Sequence, residues 1–131
     1  MYRIAVLTQS PALRAQLRRQ VEACLSPMGC FPQLDAPEEL EPFYYAMRAS
    51  PPDGVVLAMD GVAGLNAAEH LRRLSTDCAI IWSCDLDFSL QAYRLKVDYF
   101  VKGELTEEAL SEGLCRWLNR RKQCEKGSGE E

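Results

Sequence analysis

Gly54-Val55-Val56-Leu57-Ala58-Met59 is a run of small and apolar residues near the middle of the chain. A strand with one solvated face alternates apolar and polar residues, whereas a central parallel strand is covered on both faces and is apolar throughout. Pro51-Pro52-Asp53 precedes the run and Asp60-Gly61 follows it, so turn-forming residues bound it on both sides. We therefore expect a strand at the centre of a parallel sheet.

Strand-like and helix-like patterns alternate along the rest of the chain. Further apolar runs of strand length lie at residues 3–7, 30–34, 79–82 and 97–101. Each strand-like run precedes a pattern with apolar residues every three or four positions, which is typical of an amphipathic helix. Right-handed crossovers between parallel strands place helices on both faces of the sheet. The order predicts a flavodoxin-like α/β fold: a doubly wound, five-stranded parallel sheet, (βα)5, in three α/β/α layers.

Capping residues predict where several helices begin. Ser10-Pro11 should start the first helix, since Ser can cap a helix and Pro suits its first turn. Asp35 to Glu38 has the form of a capping box for the second helix. We expect residues 60–64 to form a loop before the third helix, residues 88–95 to form a short fourth helix, and Thr106 to open the fifth.

Length and composition fit one globular domain. The chain has 131 residues, of which 47% are hydrophobic and 26% charged. We assign residues 1–124 to this domain and the Gly-, Ser- and Glu-rich residues 125–131 to a flexible C-terminal tail. No apolar run reaches the roughly 18 residues of a spanning helix, and the N-terminal sequence lacks the build of a secretion signal. We expect a cytoplasmic protein without membrane contact.

Charge and cysteine content exclude two other classes. The formal net charge of −4 disfavours direct binding to nucleic acid, which attracts cationic surfaces. The six cysteines include no CxxC pair, and the single histidine adds no convergent ligand set. The sequence therefore predicts free thiols and no metal centre.

In the order and spacing of its motifs, the chain resembles the response-regulator receiver domains of two-component signalling. The resemblance covers residues 2–124 and is greatest to receivers that precede LytTR-type DNA-binding domains. It is carried by residues 3–6, Ser10-Pro11, Pro52-Asp53, Gly64-Leu65-Asn66-Ala67-Ala68-Glu69, Ala92-Tyr93-Arg94-Leu95 and Asp98-Tyr99-Phe100-Val101-Lys102.

The resemblance implies that the residues for phosphoryl chemistry have been lost. Receivers hold Mg²⁺ with an acidic pair after the first strand, and Thr8 and Gln9 occupy those positions here. The family's phosphoacceptor aspartate corresponds to Ala58. A hydroxyl and a carboxamide cannot replace two carboxylates around a hard cation, so we expect no Mg²⁺ and no other cofactor. This pattern predicts a degenerate receiver, or pseudo-receiver, that is not an enzyme.

Two further family positions keep polar side chains. Ser83 matches the family's hydroxyl residue, with Cys84 as a rival, and Lys102 matches the family's lysine. In a phosphorylated receiver these residues contact the phosphoryl group. The alternative for Lys102 is an ion pair with Asp60 or Asp98 at the strand ends.

Asp60 is the candidate phosphoacceptor that remains. If the central strand continued to Asp60, its side chain would point to the same side as Ala58, about 6.6 Å further along. Asp60 also matches an accessory acid of the family, and a plain loop aspartate beside Gly61 would look the same. A conventional phosphorelay receiver that uses Asp60 is therefore an alternative function.

The favoured hypothesis is a module for signal transduction and transcription regulation that acts through protein contacts without aspartyl phosphorylation. Receivers often dimerise through the fourth helix, fifth strand and fifth helix. The alternative interpretation of this segment is an ordinary solvent-exposed surface, since amphipathic helices of any α/β domain carry similar residues. The candidate dimer face comprises Tyr93, Leu95, Tyr99, Arg116 and Arg120. The expected partner is a second copy or another protein, including a DNA-binding domain or sensor kinase outside this chain. A small-molecule or redox sensor, using the emptied position or the Cys84 thiol, is a further alternative.

Overall fold

Five strands alternate with five α-helices in the computed structural model, which describes the backbone of residues 1–129 and the side chains of residues 1–122. The strands are β1 (Arg3–Thr8), β2 (Gln33–Asp35), β3 (Gly54–Ala58), β4 (Ala79–Cys84) and β5 (Tyr99–Lys102). The helices are α1 (Pro11–Leu25), α2 (Leu40–Ala49), α3 (Gly61–Leu74), α4 (Ser89–Arg94) and α5 (Glu107–Gly129), with a 3₁₀ turn at Ser26–Met28 after α1.

All strand pairs are parallel, in the order β2-β1-β3-β4-β5. This is the order of flavodoxin-like folds, and it confirms the predicted fold class. Strand β3 lies at the centre and each of its residues is buried, as its apolar sequence predicts. The register places Thr8 of β1, Ala58 of β3 and Ser83 of β4 side by side at the carboxyl edge of the sheet.

A separate hydrophobic core covers each face of the sheet. Val55 and Leu57 of β3 point into a core with α2, α3 and α4, which also contains Trp82. Val56 and Ala58 point into the opposite core with α1 and α5. Alternate residues of one strand thus serve two cores, because successive side chains of a strand point to opposite faces.

Two predicted helix starts are confirmed and one is wrong. Ser10 Oγ accepts a hydrogen bond from the Leu13 N–H at 3.2 Å, and Thr106 Oγ1 accepts one from the Ala109 N–H at 3.1 Å. The predicted capping box at Asp35 to Glu38 is not used, because Asp35 belongs to β2 and α2 begins only at Leu40.

The predicted loop at residues 60–64 is also wrong, because α3 already begins at Gly61. Gly64 lies inside this helix, where a Cβ would collide with the carbonyl oxygen of Met59. Here glycine permits close packing of a helix on a strand end and does not mark a turn. At the C-terminus, α5 continues through Gly129, so residues 125–129 of the expected tail are helical, while residues 130–131 lie outside the described residues.

Candidate functional site

A cleft of about 550 Å³ lies at the carboxyl edge of the sheet. The ends of β1, β3 and β4 form its floor, and the loops that follow these strands, with the loop after β5, form its rim. It is lined by Thr8, Gln9, Ser10, Leu13, Ala58, Met59, Asp60, Ser83, Asp85, Gly103, Glu104 and Leu105. Ligands of open α/β sheets bind at this edge, so the cleft is the candidate functional site.

The floor of the cleft consists of a methyl group between two hydroxyls. Ala58, which the resemblance to receivers assigns to the phosphoacceptor position, has Thr8 and Ser83 as its neighbours on the adjoining strands. Thr8 is 6% exposed and Ser83 is 5% exposed. The Thr8 hydroxyl accepts a hydrogen bond from the Ser10 N–H at 3.4 Å, whereas the Ser83 hydroxyl has no hydrogen-bond partner among the described residues.

Asp60 is not part of the floor. Strand β3 ends at Ala58, and Asp60 occupies the N-cap position of α3 with an exposed side chain. Its Oδ1 accepts a hydrogen bond from the Asp85 N–H at 3.2 Å, and the Asp85 Oδ1 in turn accepts one from the Gly61 N–H at 2.7 Å. These two bonds link the loops after β3 and β4, and they hold Asp60 and Asp85 at the rim.

Asp85 is the site residue that the sequence analysis missed. An acidic residue directly after a buried strand was the available signal, because the carboxyl ends of parallel strands meet at one edge.

Ser83 lines the cleft, and Cys84 does not. Cys84 is fully buried in the core on the opposite face, the core that contains Leu57 and Trp82. Its Sγ lies 3.6 Å from the Gly61 carbonyl oxygen and 3.6 Å from the Asp85 Oδ1. Burial is the main cause that raises the pKa of the Cys84 thiol, so the thiol remains protonated at neutral pH.

Lys102 stands apart from the cleft. It ends β5 opposite Cys84, its side chain is exposed, and it is not among the residues that line the cleft. Hydrogen bonds from Ser89 and, more weakly, the charge of Lys102 lower the pKa of Asp87.

The ion pair proposed for Lys102 is wrong for the described residues. Asp98 pairs with Arg120 at 2.7 Å, and Asp60 accepts the backbone bond from Asp85.

The side chains next to Ala58 differ from those that hold Mg²⁺ in receivers. Next to Ala58, the floor offers the Thr8 hydroxyl, while Gln9 contributes an exposed carboxamide. Over the described side chains, no three or more His, Cys, Asp or Glu residues converge closely enough to hold a metal ion. Mg²⁺ is bound in proteins mainly through carboxylate oxygens. At this edge carboxylates stand at the rim, among them those of Asp60 and Asp85, while Thr8 and Gln9 occupy the positions that the resemblance to receivers assigns to the metal-binding pair.

The candidate dimer face is only partly a continuous surface. Tyr93 is 83% exposed, and the Arg116 guanidinium lies 5.0 Å from the centre of the Tyr99 ring. The Tyr99 hydroxyl donates a hydrogen bond to Glu112 at 3.1 Å, and Arg116 pairs with Glu112 at 3.0 Å. These side chains form one connected surface across α4, β5 and α5.

The other two residues of the candidate dimer face, Leu95 and Arg120, lie outside this connected surface. Leu95 packs against the core between the sheet and α2 to α4, while Arg120 pairs with Asp98 in a neighbouring cleft. Cationic side chains dominate that cleft: it contains Arg72, Arg94, Lys96, Arg116 and Arg120, with Asp77 and Asp98 as the acids.

No family model matches the chain, and no curated protein matches its sequence. Solved structures do match. A response-regulator receiver domain protein from Clostridium thermocellum is 14% identical, with a TM-score of 0.72 over 95% of this chain and 99% of the other. The C-terminus of Escherichia coli RcsC, which contains a linker region and a phosphoreceiver domain, is 15% identical, with a TM-score of 0.71 over 95% and 48% of the chains.

A third match is the response regulator TrrA from Thermotoga maritima, solved with Mg²⁺ and beryllofluoride. It is 23% identical, with a TM-score of 0.68 over 89% of this chain and 99% of the other. The fold is that of a receiver domain.

At the described residues, no helix combines the length and apolarity needed to cross a membrane.

Proposed function

We propose that the protein is a degenerate receiver that transmits signals through protein contacts and is not phosphorylated on aspartate. The observation that carries the proposal is Ala58 at the end of the central strand, between Thr8 and Ser83. The receiver fold is present, but the position of its phosphoacceptor carries a methyl group.

The rim carboxylates are poor substitutes for that acceptor. Phosphoryl transfer is catalysed mainly by positioning and by stabilisation of negative charge, which metal ions and cationic side chains provide. Asp60 is adjacent to Asp85, and Lys102 lies outside the cleft lining. A phosphoryl group on one of these carboxylates would therefore meet the charge of the other, while the Arg14 guanidinium is already bonded to the Thr8 carbonyl oxygen at 3.3 Å.

The surface formed by α4, β5 and α5 supports a role in protein contacts. Tyr93 and Leu90 are large exposed side chains on α4, with exposed fractions of 83% and 57%. Aromatic and arginine side chains are common anchors at protein interfaces, and Arg116 lies beside Tyr93 and Tyr99 in one shallow cleft. The partner is a second copy of the chain or another protein that binds this surface.

The finer assignments rest on the resemblance to receivers. It suggests a cytoplasmic regulator without enzymatic activity, whose partners include a DNA-binding domain or a sensor kinase outside these residues. A LytTR-type domain and control of transcription fit this scheme. The net charge of −4 supports regulation without direct nucleic-acid contact.

The phosphorylation half of the proposal is tested with Mg²⁺ and a small phosphodonor. We expect acetyl phosphate to leave the mass unchanged, and Mg²⁺ with beryllofluoride to leave the amide NMR spectrum near Asp60 unchanged. An Asp60→Asn variant is the matched control. Labelling of Asp60 that needs Mg²⁺ and disappears with EDTA would overturn the proposal in favour of a conventional receiver.

Sedimentation velocity tests the contact surface across micromolar concentrations. If a second copy is the partner, Tyr93→Ala should weaken the dimer. Tyr45→Ala, at a tyrosine that is 78% exposed on α2, should leave it intact. Equal effects of the two substitutions would contradict a role for this surface in self-association.

A further inference from the structure

The cleft at the carboxyl edge of the sheet has the properties of a ligand site. Its volume of about 550 Å³ lies within the range of roughly 300–1,000 Å³ that small-molecule sites occupy. Ser83, 95% buried by its 5% exposure, lines the cleft without a hydrogen-bond partner for its hydroxyl among the described residues. The Ser83 hydroxyl therefore keeps both its donor and its acceptor capacity for a ligand in the cleft.

A second hydroxyl faces the cleft from the other side of Ala58. Thr8 uses its oxygen to accept the long bond from the Ser10 N–H, while the hydroxyl proton has no acceptor in the described structure. Thr8 and Ser83 lie two strand spacings apart, about 10 Å between Cα atoms. Both belong to the same face of the sheet as Ala58, so one ligand several atoms long can reach both.

The charge of the lining selects the sign of the ligand. Asp60, Asp85 and Glu104 are the charged lining residues, and all three are acidic. Asp60 and Asp85 each use one carboxylate oxygen for a backbone N–H, which leaves their second oxygens for other partners. Lys102 lies outside the lining, and so does Arg14, whose guanidinium donates a hydrogen bond to the Thr8 carbonyl oxygen at 3.3 Å. Because the lining itself carries only carboxylates as charged groups, it favours a cation over phosphate.

The geometry points to a small polar amine as the ligand of this cleft, with its ammonium group at the rim carboxylates and its other polar groups on Thr8 and Ser83. An organic cation fits better than a metal ion, because no three acidic, thiol or imidazole side chains converge here in the described structure. The inference rests on the proposed function in one respect: the floor at Ala58 must not accept a phosphoryl group, so that the cleft is left for another ligand. The amine would then be a candidate signal that the domain reads.

The test uses three probes of the same length that differ in charge. Amide NMR of the full chain is recorded during titration with 4-aminobutan-1-ol as its ammonium salt, butane-1,4-diol and 4-hydroxybutyrate. We expect saturable shifts at Gln9, Asp60 and Ser83 with the amine, weaker shifts with the diol and none with the anion. Equal responses to the three probes, no response to the amine, or a larger response to MgCl₂ would each overturn the inference.

Charge-neutral variants test the residues. Asp60→Asn and Asp85→Asn should each weaken amine binding by up to about fivefold, the size expected for one exposed charge pair. Ser83→Ala should also weaken it, and Glu22→Gln, on the exposed surface of α1, should leave it unchanged. The same spectra report whether each variant is folded. Amine affinity that is equal in all variants would place the ligand elsewhere and refute the site.

Failure here is distinguishable from failure of the proposed function. The phosphodonor experiment reports only modification of Asp60, and the amine titration reports only occupancy of the cleft. A negative titration with no phosphorylation refutes the ligand alone. Mg²⁺-dependent phosphorylation with intact amine binding refutes the proposed function alone.

Discussion

Gly64 is the residue whose missing side chain matters most to the position of the site. A Cβ at this position would collide with the carbonyl oxygen of Met59, directly after β3. The absence of that atom allows α3 to start at Gly61, next to the cleft, and to pack against the strand end. The close approach therefore lies directly beside the lining residues Met59 and Asp60.

We predict that Gly64→Ala lowers the free energy of unfolding. Helix propensity alone would raise it by about 1 kcal/mol, because alanine is the better helix former. Overpacking against a backbone carbonyl costs about 1–3 kcal/mol and should dominate. Urea denaturation followed by circular dichroism measures the difference. Asn66→Ala, on the exposed side of the same helix, is the control and should not destabilise the protein.

Cys84 makes a second prediction possible, on thiol reactivity. Its side chain is fully buried and Cys78 is 3% exposed, whereas Cys115 is only partly buried. In a Cys124→Ser background, a thiol reagent should therefore modify Cys84 and Cys78 much more slowly than Cys115. Mass spectrometry of the labelled peptides measures the rates. If Cys84 is labelled first, the redox-sensor alternative regains support.

The buried thiols of Cys78 and Cys84 predict that the stability of the protein depends on pH. Burial raises the pKa of both thiols in the folded protein, so the unfolded chain releases their protons first as the pH rises. The free energy of unfolding should therefore be highest below the ordinary thiol pKa of about 8.5 and should decrease above it. Urea midpoints on either side of that pH test this. A Cys78→Ala variant should show a smaller decrease.

Arg72 of α3 connects the segment after α3 with the segment after α4, at the amino edge of the sheet, away from the cleft. Its guanidinium donates hydrogen bonds of 2.7–3.3 Å to backbone carbonyls after α3 and after α4. The acceptors are the carbonyl oxygens of Leu95, Ser75, Thr76, Cys78 and Lys96. The planar guanidinium reaches all five acceptors with its five N–H groups, and two of the three acceptors of Nη1 share one hydrogen, whereas an ammonium group has only three N–H groups.

We predict that Arg72→Lys lowers the free energy of unfolding by about 2–3 kcal/mol, because several carbonyls lose a charged donor. Arg73→Lys, on the neighbouring exposed arginine, should change it by less than about 0.5 kcal/mol. Equal denaturation midpoints for the two variants would show that the carbonyl bonds contribute little.

The elements themselves follow from the sequence, and their exact ends do not. Apolar runs and amphipathic repeats depend on local periodicity, so the (βα)5 order and the caps at Ser10 and Thr106 were predictable. The early start of α3 was not, because two glycines usually indicate a loop and only the contact with Met59 accounts for Gly64. The partners of Arg72 are backbone carbonyls, which carry no sequence signal.

The site was predictable to a similar degree. Parallel strands bring their carboxyl ends to one edge, so Thr8, Ala58 and Ser83 could be placed together from the order of the strands. Lys102 lies opposite Cys84, on the face of the sheet away from Ala58. Its exclusion from the cleft depends on the register between β4 and β5, which the sequence alone does not give.

The domain as a whole should be insensitive to Mg²⁺. We predict equal melting temperatures in Mg²⁺ and in EDTA, because a ligand stabilises a protein only when it binds the folded state. A Thr8→Asp, Gln9→Asp, Ala58→Asp variant restores the acidic set of receivers. It should gain a rise of about 5 °C or more on addition of Mg²⁺. Stabilisation of the natural sequence by Mg²⁺ would show that the cleft binds the metal without that set.

The placement of the two tryptophans has a practical consequence. Trp82 lies in one core, 4.8 Å from the ring of Phe100, and Trp117 lies in the other, 5.2 Å from the ring of Tyr2. Each of the two cores thus contains its own fluorescent reporter. Trp82→Phe and Trp117→Phe variants would each emit from a single core, and coincident unfolding curves would show that both cores melt as one cooperative unit.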